Sequence, residues 1–364
     1  MTKERNASID ILRIICMLFV TIIHSASYGL GGGQLRENNY VLSQYTPCII
    51  VIYAFTSVAV IVYFLMSGYF HAKFRLSKLV ELIIEGVLYV LITYAISCIL
   101  GYNNFDFITL CKRVITGFSG WWFYVAYIVI YCFSGYIKKL LEVLSDKELK
   151  FLLLIYGVLN TILGIIIGSG TYGTAYSVVA MLFIYILGYS IKRFGWSFRV
   201  KGKSINLFVY LGISLCLGLV GGVLIYLDHQ SWGRDVMVHY QNPLLIVSAC
   251  ALFMFFVNDI KVKSSRLVSG IAVHVFAVYL LTDTGDARTY VWLPLTNTMN
   301  TGMAWWLVLL CLIGYAIGLM VACILIDILR KIFYNWGEKF IQYIIKKYKD
   351  KHAKNTDDVS SSST

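Results

Sequence analysis

Asp10, Arg13 and His24 all lie within the first apolar stretch of the sequence. Charged side chains inside such a stretch are costly in a bilayer and usually mark function or a specific pairing. On a helix Arg13 and His24 share a face and stand about 16 Å apart along the axis. Asp10 sits one turn before Arg13 and can pair with it. One face therefore carries an ion pair near one membrane surface and an imidazole toward the other. Imidazole titrates near neutral pH, which suits a general base that takes a proton from a weak hydroxyl nucleophile. The plainer alternatives are a snorkelling Arg13 anchored by Asp10 and a His24 that hydrogen-bonds a neighbouring helix.

The elements that hold these residues follow from composition. Of 364 residues, 59% are hydrophobic and 14% charged, whereas a soluble chain carries about 25% charged residues. The sequence thus reads as an all-α integral membrane protein of about ten transmembrane helices, expected at 9–28, 47–69, 79–101, 121–139, 149–168, 175–192, 205–227, 243–260, 267–282 and 303–327. Asp10 and Arg13 interrupt the first segment, so it reads as a retained helix rather than a signal peptide. Of the 31 Lys and Arg residues, only Arg36, Lys112, Arg113, Arg234 and Arg288 fall in loops on the far side if the N-terminus is cytoplasmic. With Arg13 in the membrane and all the others inside, both termini are expected in the cytoplasm. The net charge of +12 then reflects topology and calls for no nucleic acid. Three parts are expected: a membrane domain over 1–327, a basic amphipathic helix over 328–354 lying on anionic membrane lipid, and a disordered tail over 355–364.

Other features are weighed against this frame. The nine cysteines form no C-x-x-C pair, so neither a metal site nor a disulfide framework is expected. Gly29 and Gly31–Gly33 are Gly-rich, but they follow a helix rather than joining strand to helix, so no phosphate loop is expected. His274 has no acidic neighbour in sequence and reads as a packed histidine. Glu81 and Glu85 follow Lys78 at one and two helical turns and are expected to pair with it. Trp121, Trp122 and Tyr124 either form part of an interfacial aromatic belt or stack on sugar rings. Asp283 and Arg288, in the last outer loop, either pair with each other or hydrogen-bond a ligand.

The pattern Ile9-Asp10-x-x-Arg13-x10-His24 resembles the first-helix signature of the membrane acyltransferase-3 family, which includes bacterial O-acetyltransferases of surface polysaccharides. Tyr63-Phe64-Leu65-Met66-Ser67-Gly68-Tyr69-Phe70 is similar to the end of that family's second helix. Trp121-Trp122-Phe123-Tyr124, followed by Tyr127 and Tyr131, resembles the start of its fourth. Val278-Tyr279-Leu280-Leu281-Thr282-Asp283, with Arg288 and Trp292, resembles its late Y-L-x-H-D segment, with Thr282 where relatives often carry a second histidine. The basic run Lys73-x-Arg75-x-x-Lys78 is looser than the family's Arg-rich run, and the proline often found in the following helix is absent.

The resemblance implies transfer of an acyl group, most commonly acetyl from cytoplasmic acetyl-CoA, to a hydroxyl of a cell-surface polysaccharide or its lipid-linked precursor, at the cytoplasmic membrane. It implies His24 as base or acyl carrier, with Arg13 and Asp10 beside it in the catalytic set. The phosphate-rich acyl-CoA would be held by Arg13, Ser67, Lys73, Arg75 and Lys78, and the glycan acceptor by Trp121, Trp122, Tyr124, Asp283 and Arg288. No metal is implied. A glycan flippase and a non-catalytic component of a polysaccharide assembly complex are the rival readings. A flippase predicts repeated halves or broken helices, and no clear repeat is found.

Overall fold

The computed structural model describes residues 6–71, 73–116, 120–167, 174–299 and 302–361. Lys3 and Arg5 of the charge count, residue 168 of the fifth expected segment and residues 362–364 of the expected tail lie outside the described residues. So do the side chains beyond Trp336 that would give the basic helix its two faces.

Among the described residues fifteen α-helices run in order: α1 Ala7–His24, α2 Thr46–Thr56, α3 Val58–Phe70, α4 Leu76–Ile99, α5 Phe107–Thr116, α6 Trp122–Val143, α7 Asp146–Thr161, α8 Val178–Phe194, α9 Asn206–Tyr226, α10 Gln230–Val238, α11 Pro243–Met254, α12 Arg266–Ala272, α13 Val275–Thr282, α14 Gly285–Met299 and α15 Trp305–Ser361. A two-stranded hairpin, Arg199–Val200 with Lys203–Ser204, is the sheet among the described residues. Every expected membrane segment coincides with a helix or a helix pair.

Among the described residues, eight helices are long and apolar enough to cross a bilayer, or up to nine if a bent pair counts as one span. Two of the ten expected segments depart from a straight span. The sixth folds as α8, only 17 residues, short of the ~20 that a bilayer core needs. The ninth, expected at 267–282, ends at a sharp bend: Arg266–Thr282 and Gly285–Trp292 meet at 93°. The break falls at Asp283 and Thr284. The Thr284 hydroxyl accepts the Ala287 backbone N–H at 3.0 Å and so caps the start of α14. Apolar periodicity alone cannot show such a turn, because the residues on both sides remain membrane-compatible.

Two local devices set the site. The Asn6 side chain accepts the Ser8 N–H and starts α1. At its other end α1 passes directly into a π turn over Ser25–Gly29, a distortion common at functional sites. The glycines that follow turn the chain back over the helix end. Gly31 has φ +72°, and a Cβ on Gly32 would lie 2.7 Å from the Tyr53 hydroxyl. The Gly-rich stretch is thus a tight turn. Second, α3 and α8 pack backbone to backbone, as small residues allow in membranes. A Cβ on Gly68 would fall 1.9 Å from the Tyr185 carbonyl oxygen, and one on Gly188 2.3 Å from that of Leu65. This contact fixes the helix that carries Tyr63 and Ser67. All nine cysteines are free, and Cys16, Cys48, Cys250 and Cys323 are buried as small apolar side chains.

Candidate active site

Three cavities follow one another along α1, from its Arg13 end (here the basal end) to its His24 end (the distal end). The basal cavity, about 370 Å³, is lined by Arg13, Tyr63, Ser67, Lys78, Glu85, Tyr127 and the apolar faces of α6, α12 and α13. A throat of about 40 Å³ continues it, sharing Tyr63 and Phe123 as walls and adding Met17, Trp122, Tyr240, Tyr279 and His24. His24 and Trp122 also line the distal vestibule, about 450 Å³, together with Tyr28, Tyr53, Arg36, Tyr176, Arg234, Asp283 and Arg288. His24 therefore stands where the throat meets the vestibule.

The break between α13 and α14 delivers the carboxylate. Asp283 is 3% exposed, and its Oδ1 lies 3.9 Å from His24 Nδ1, longer than a hydrogen bond. Arg288 Nε donates to the same oxygen at 2.8 Å, and the Tyr28 hydroxyl donates to it at 3.3 Å. The Arg288 guanidinium lies 5.0 Å over the Tyr28 ring. Aromatic rings hold the imidazole: Tyr28 at 5.6 Å, Tyr279 at 6.3 Å and Trp292 edge-on at 6.4 Å. Its Nδ1 is buried with no hydrogen-bond partner among the described residues. The result is an imidazole fixed in place by packing, with proton-carrying capacity left over and a buried carboxylate within reach. Thr282, which stands at the family's histidine position, turns its hydroxyl back onto the Val278 carbonyl.

At the basal end Arg13 donates to Asp10 at 3.0 Å, the Ser269 hydroxyl donates to the other oxygen of Asp10 at 2.7 Å, and the Tyr63 hydroxyl donates to the Arg13 carbonyl. Asp10 is buried, whereas the Arg13 guanidinium is 34% exposed and reaches the cavity. The structure thus separates two groups. His24, Asp283, Arg288 and Trp122 meet at the vestibule, while Arg13, Ser67 and Lys78 meet in the basal cavity, with Asp10 behind Arg13.

Other expected residues lie elsewhere. Lys73 and Arg75 are exposed and do not line the basal cavity; their loop is tied down by Tyr131, whose hydroxyl accepts the Arg75 N–H at 3.0 Å. Trp121 and Tyr124 are fully buried, and Tyr124 donates to the Leu82 carbonyl and stacks on Phe276. Only Trp122 of that aromatic trio faces a cavity, stacked on Tyr240 at 5.5 Å. Lys78 pairs with Glu81 at 3.1 Å, as expected, but Glu85 pairs instead with Arg330. The reason is distance in sequence: α15 brings Arg330 and Asp327 against α4. There Asp327 accepts from Tyr89 and Arg330 and meets His274 at 2.6 Å. Arg36, Arg234, Tyr176 and Tyr240 also line the vestibule; a polar residue in an otherwise apolar or short outer segment is the one signal of them that the sequence carries.

Fold and site together define a multi-pass membrane protein with a histidine-centred passage through a helical bundle. A family model described as an acyltransferase domain matches residues 6–328. The chain belongs to the acyltransferase-3 family, and it is an acyltransferase. Comparison with curated proteins and with solved structures returns no match.

Proposed function

We propose that the protein transfers an acyl group, acetyl in the simplest case, from cytoplasmic acyl-CoA to a hydroxyl of a cell-surface glycan or its lipid-linked precursor at the cytoplasmic membrane. One observation carries this reading: His24 lines both the throat that rises from the basal cavity and the vestibule that opens at the other end. Two reactants entering from opposite ends would meet at its imidazole. The charge bias of the loops supports a cytoplasmic basal end.

The basal cavity suits the donor. It offers the Arg13 guanidinium, the Lys78 ammonium and the Ser67 hydroxyl beside Tyr63, Tyr127 and Phe276. Cations of this kind bind phosphate, and the apolar wall matches a thin acyl-carrying arm. Both cations already hold carboxylates, Asp10 and Glu81, and the exposed Lys73 and Arg75 add positive charge on the same loop that leads into α4.

At the distal side His24 takes the proton of the acceptor hydroxyl as its oxygen attacks the thioester carbonyl. The C–S bond then breaks, the thiolate leaves, and the proton passes from His24 to the thiolate sulfur. Asp283 stabilises the imidazolium formed between these steps, and Arg288 and Tyr28 keep the carboxylate in place. Trp122 and Tyr240 give the sugar ring an aromatic wall.

The test is proton NMR of surface polysaccharide from cells expressing wild type, His24→Ala or Arg13→Ala, compared with cells lacking the gene, at matched membrane levels of protein. Acetyl signal in wild type alone is expected. Equal signal in all four overturns the reading and returns the flippase or scaffold alternatives to the front.

A further inference from the structure

Membrane topology depletes cations from the outer side, so each outer arginine requires a reason. Of the five outer cations, Arg36, Arg234 and Arg288 all line the distal vestibule. The remaining two are accounted for elsewhere: Arg113 pairs with Asp286 at 2.9 Å, and Lys112 lies exposed on the amphipathic helix α5.

The vestibule also has a side lobe of about 300 Å³. The two share Arg36, Tyr176 and Arg234, and the lobe adds Ser231, Trp232, Asp235 and His239. Across both volumes three guanidinium groups face two carboxylates, Asp235 and Asp283, with His24 and His239 besides. Arg288 is committed to Asp283. Arg234 is 15% exposed; it donates to Asp235 at 2.9 Å and to the Tyr176 hydroxyl at 3.2 Å, and its Nε is buried with no partner. Arg36 has no carboxylate within ion-pair distance among the described residues. An unpaired guanidinium beside a half-satisfied one, at the junction of two cavities, presents a planar fork of donors suited to carboxylate or phosphate. Trp232, largely exposed at the lobe, and Tyr176, in both volumes, supply the flat faces a pyranose ring packs against.

On the strength of the proposed acyl transfer to a glycan, we infer that the acceptor is an acidic glycan, whose carboxylate or phosphate is held by Arg36 and Arg234 while a neighbouring sugar hydroxyl reaches His24. A neutral acceptor would leave this charge unused and would gain nothing from Arg36. The side lobe gives the glycan chain a path away from His24.

Binding is measured on the purified full chain in phosphatidylcholine nanodiscs, by thermophoresis, with four probes: CoA, an oligogalacturonate, a poly(glycerol phosphate) oligomer and a neutral malto-oligosaccharide of matched length. At least one charged oligomer is expected to bind about tenfold or more tightly than the neutral one, as a charge-assisted contact supplies, and to weaken with added salt. Arg36→Gln is expected to remove about tenfold from the charged oligomer's affinity and to leave CoA binding as it was. Arg36 is exposed, and CoA binding by the variant reports that it is folded. If CoA binds but charged and neutral oligomers bind alike or not at all, the acidic-acceptor inference falls while the acyltransferase reading stands. If CoA fails to bind the wild type, the donor reading itself fails. If phosphatidylglycerol added to the discs abolishes the preference for charged oligomers, the arginines hold a lipid headgroup and the inference is overturned.

Discussion

Two histidines of this protein face buried aspartates, and they do so differently. His274 meets Asp327 at 2.6 Å, and Asp327 in turn accepts from Tyr89 and Arg330, with Glu85 closing the network on Arg330 at 3.1 Å. His24 stands 3.9 Å from Asp283, with its Nδ1 unpartnered, and lines two cavities. His274 lines none of the described cavities. Where the imidazole is bonded directly into a buried carboxylate network, the histidine joins helices; where a ring nitrogen is left over beside a cavity, it can act on a substrate. The first cluster ties α15 and the turn before α13 to α4. The second sits at the bend between α13 and α14, where His24 lines two cavities.

The comparison can be broken from either side. The largest expected effect is on the tight cluster. Asp327→Ala takes the buried carboxylate away from the half-buried Arg330 and His274, and removing one partner of a buried charged network costs about 3–5 kcal/mol. The expected result is a large fall in the thermal midpoint of the detergent-solubilised protein, followed by fluorescence size exclusion. An unchanged midpoint would mean that this cluster is no fastening. Asp283→Asn is expected to behave oppositely. Loss of the carboxylate opposite His24 lowers acyl transfer by about tenfold to a hundredfold, the scale on which an acid–base group acts, while the midpoint moves far less than in Asp327→Ala. A matched loss of stability in the two variants would erase the distinction between the sites.

The smallest effect concerns a third histidine that lies outside the spans and has no carboxylate in contact. His71 follows α3 at φ +48° and packs on Tyr189 at 4.7 Å. Burial, with Lys192 and Lys138 nearby, pushes its imidazole down from 6.5 to about 4. The folded protein therefore binds fewer protons than the unfolded chain between these values. The stability that His71 contributes is present above about pH 6.5 and is lost as pH falls toward 4. The thermal midpoint of wild type should decline over that window, and His71→Asn, which tolerates the left-handed backbone, should show a shallower decline. Identical slopes would exclude His71 as the source.

Much of the bundle was legible beforehand. A helix in a bilayer satisfies its own backbone and must present some twenty apolar residues, so α1, α4, α6 and α9 could be read almost to their ends. Arg13 and His24 were legible for the same reason in reverse, since a polar group in such a run stands out. Local spacing, all that a sequence makes visible, points Glu85 to Lys78, and Trp121, Trp122 and Tyr124 look alike until a helix face is fixed.

By itself, the sequence determined that this chain is a helical membrane protein, and that Arg13 and His24 occupy one face of its first helix at different depths. These properties rest on local periodicity and on the cost of charge in lipid. Tertiary structure decided the rest: the right-angle break that brings Asp283 to His24, the α15 contact that gives Asp327 and Arg330 to α4, and the gathering of Arg36 and Arg234 around one vestibule. Each of those joins residues far apart in the chain, and their meeting depends on how helices pack rather than on the order in which they are made.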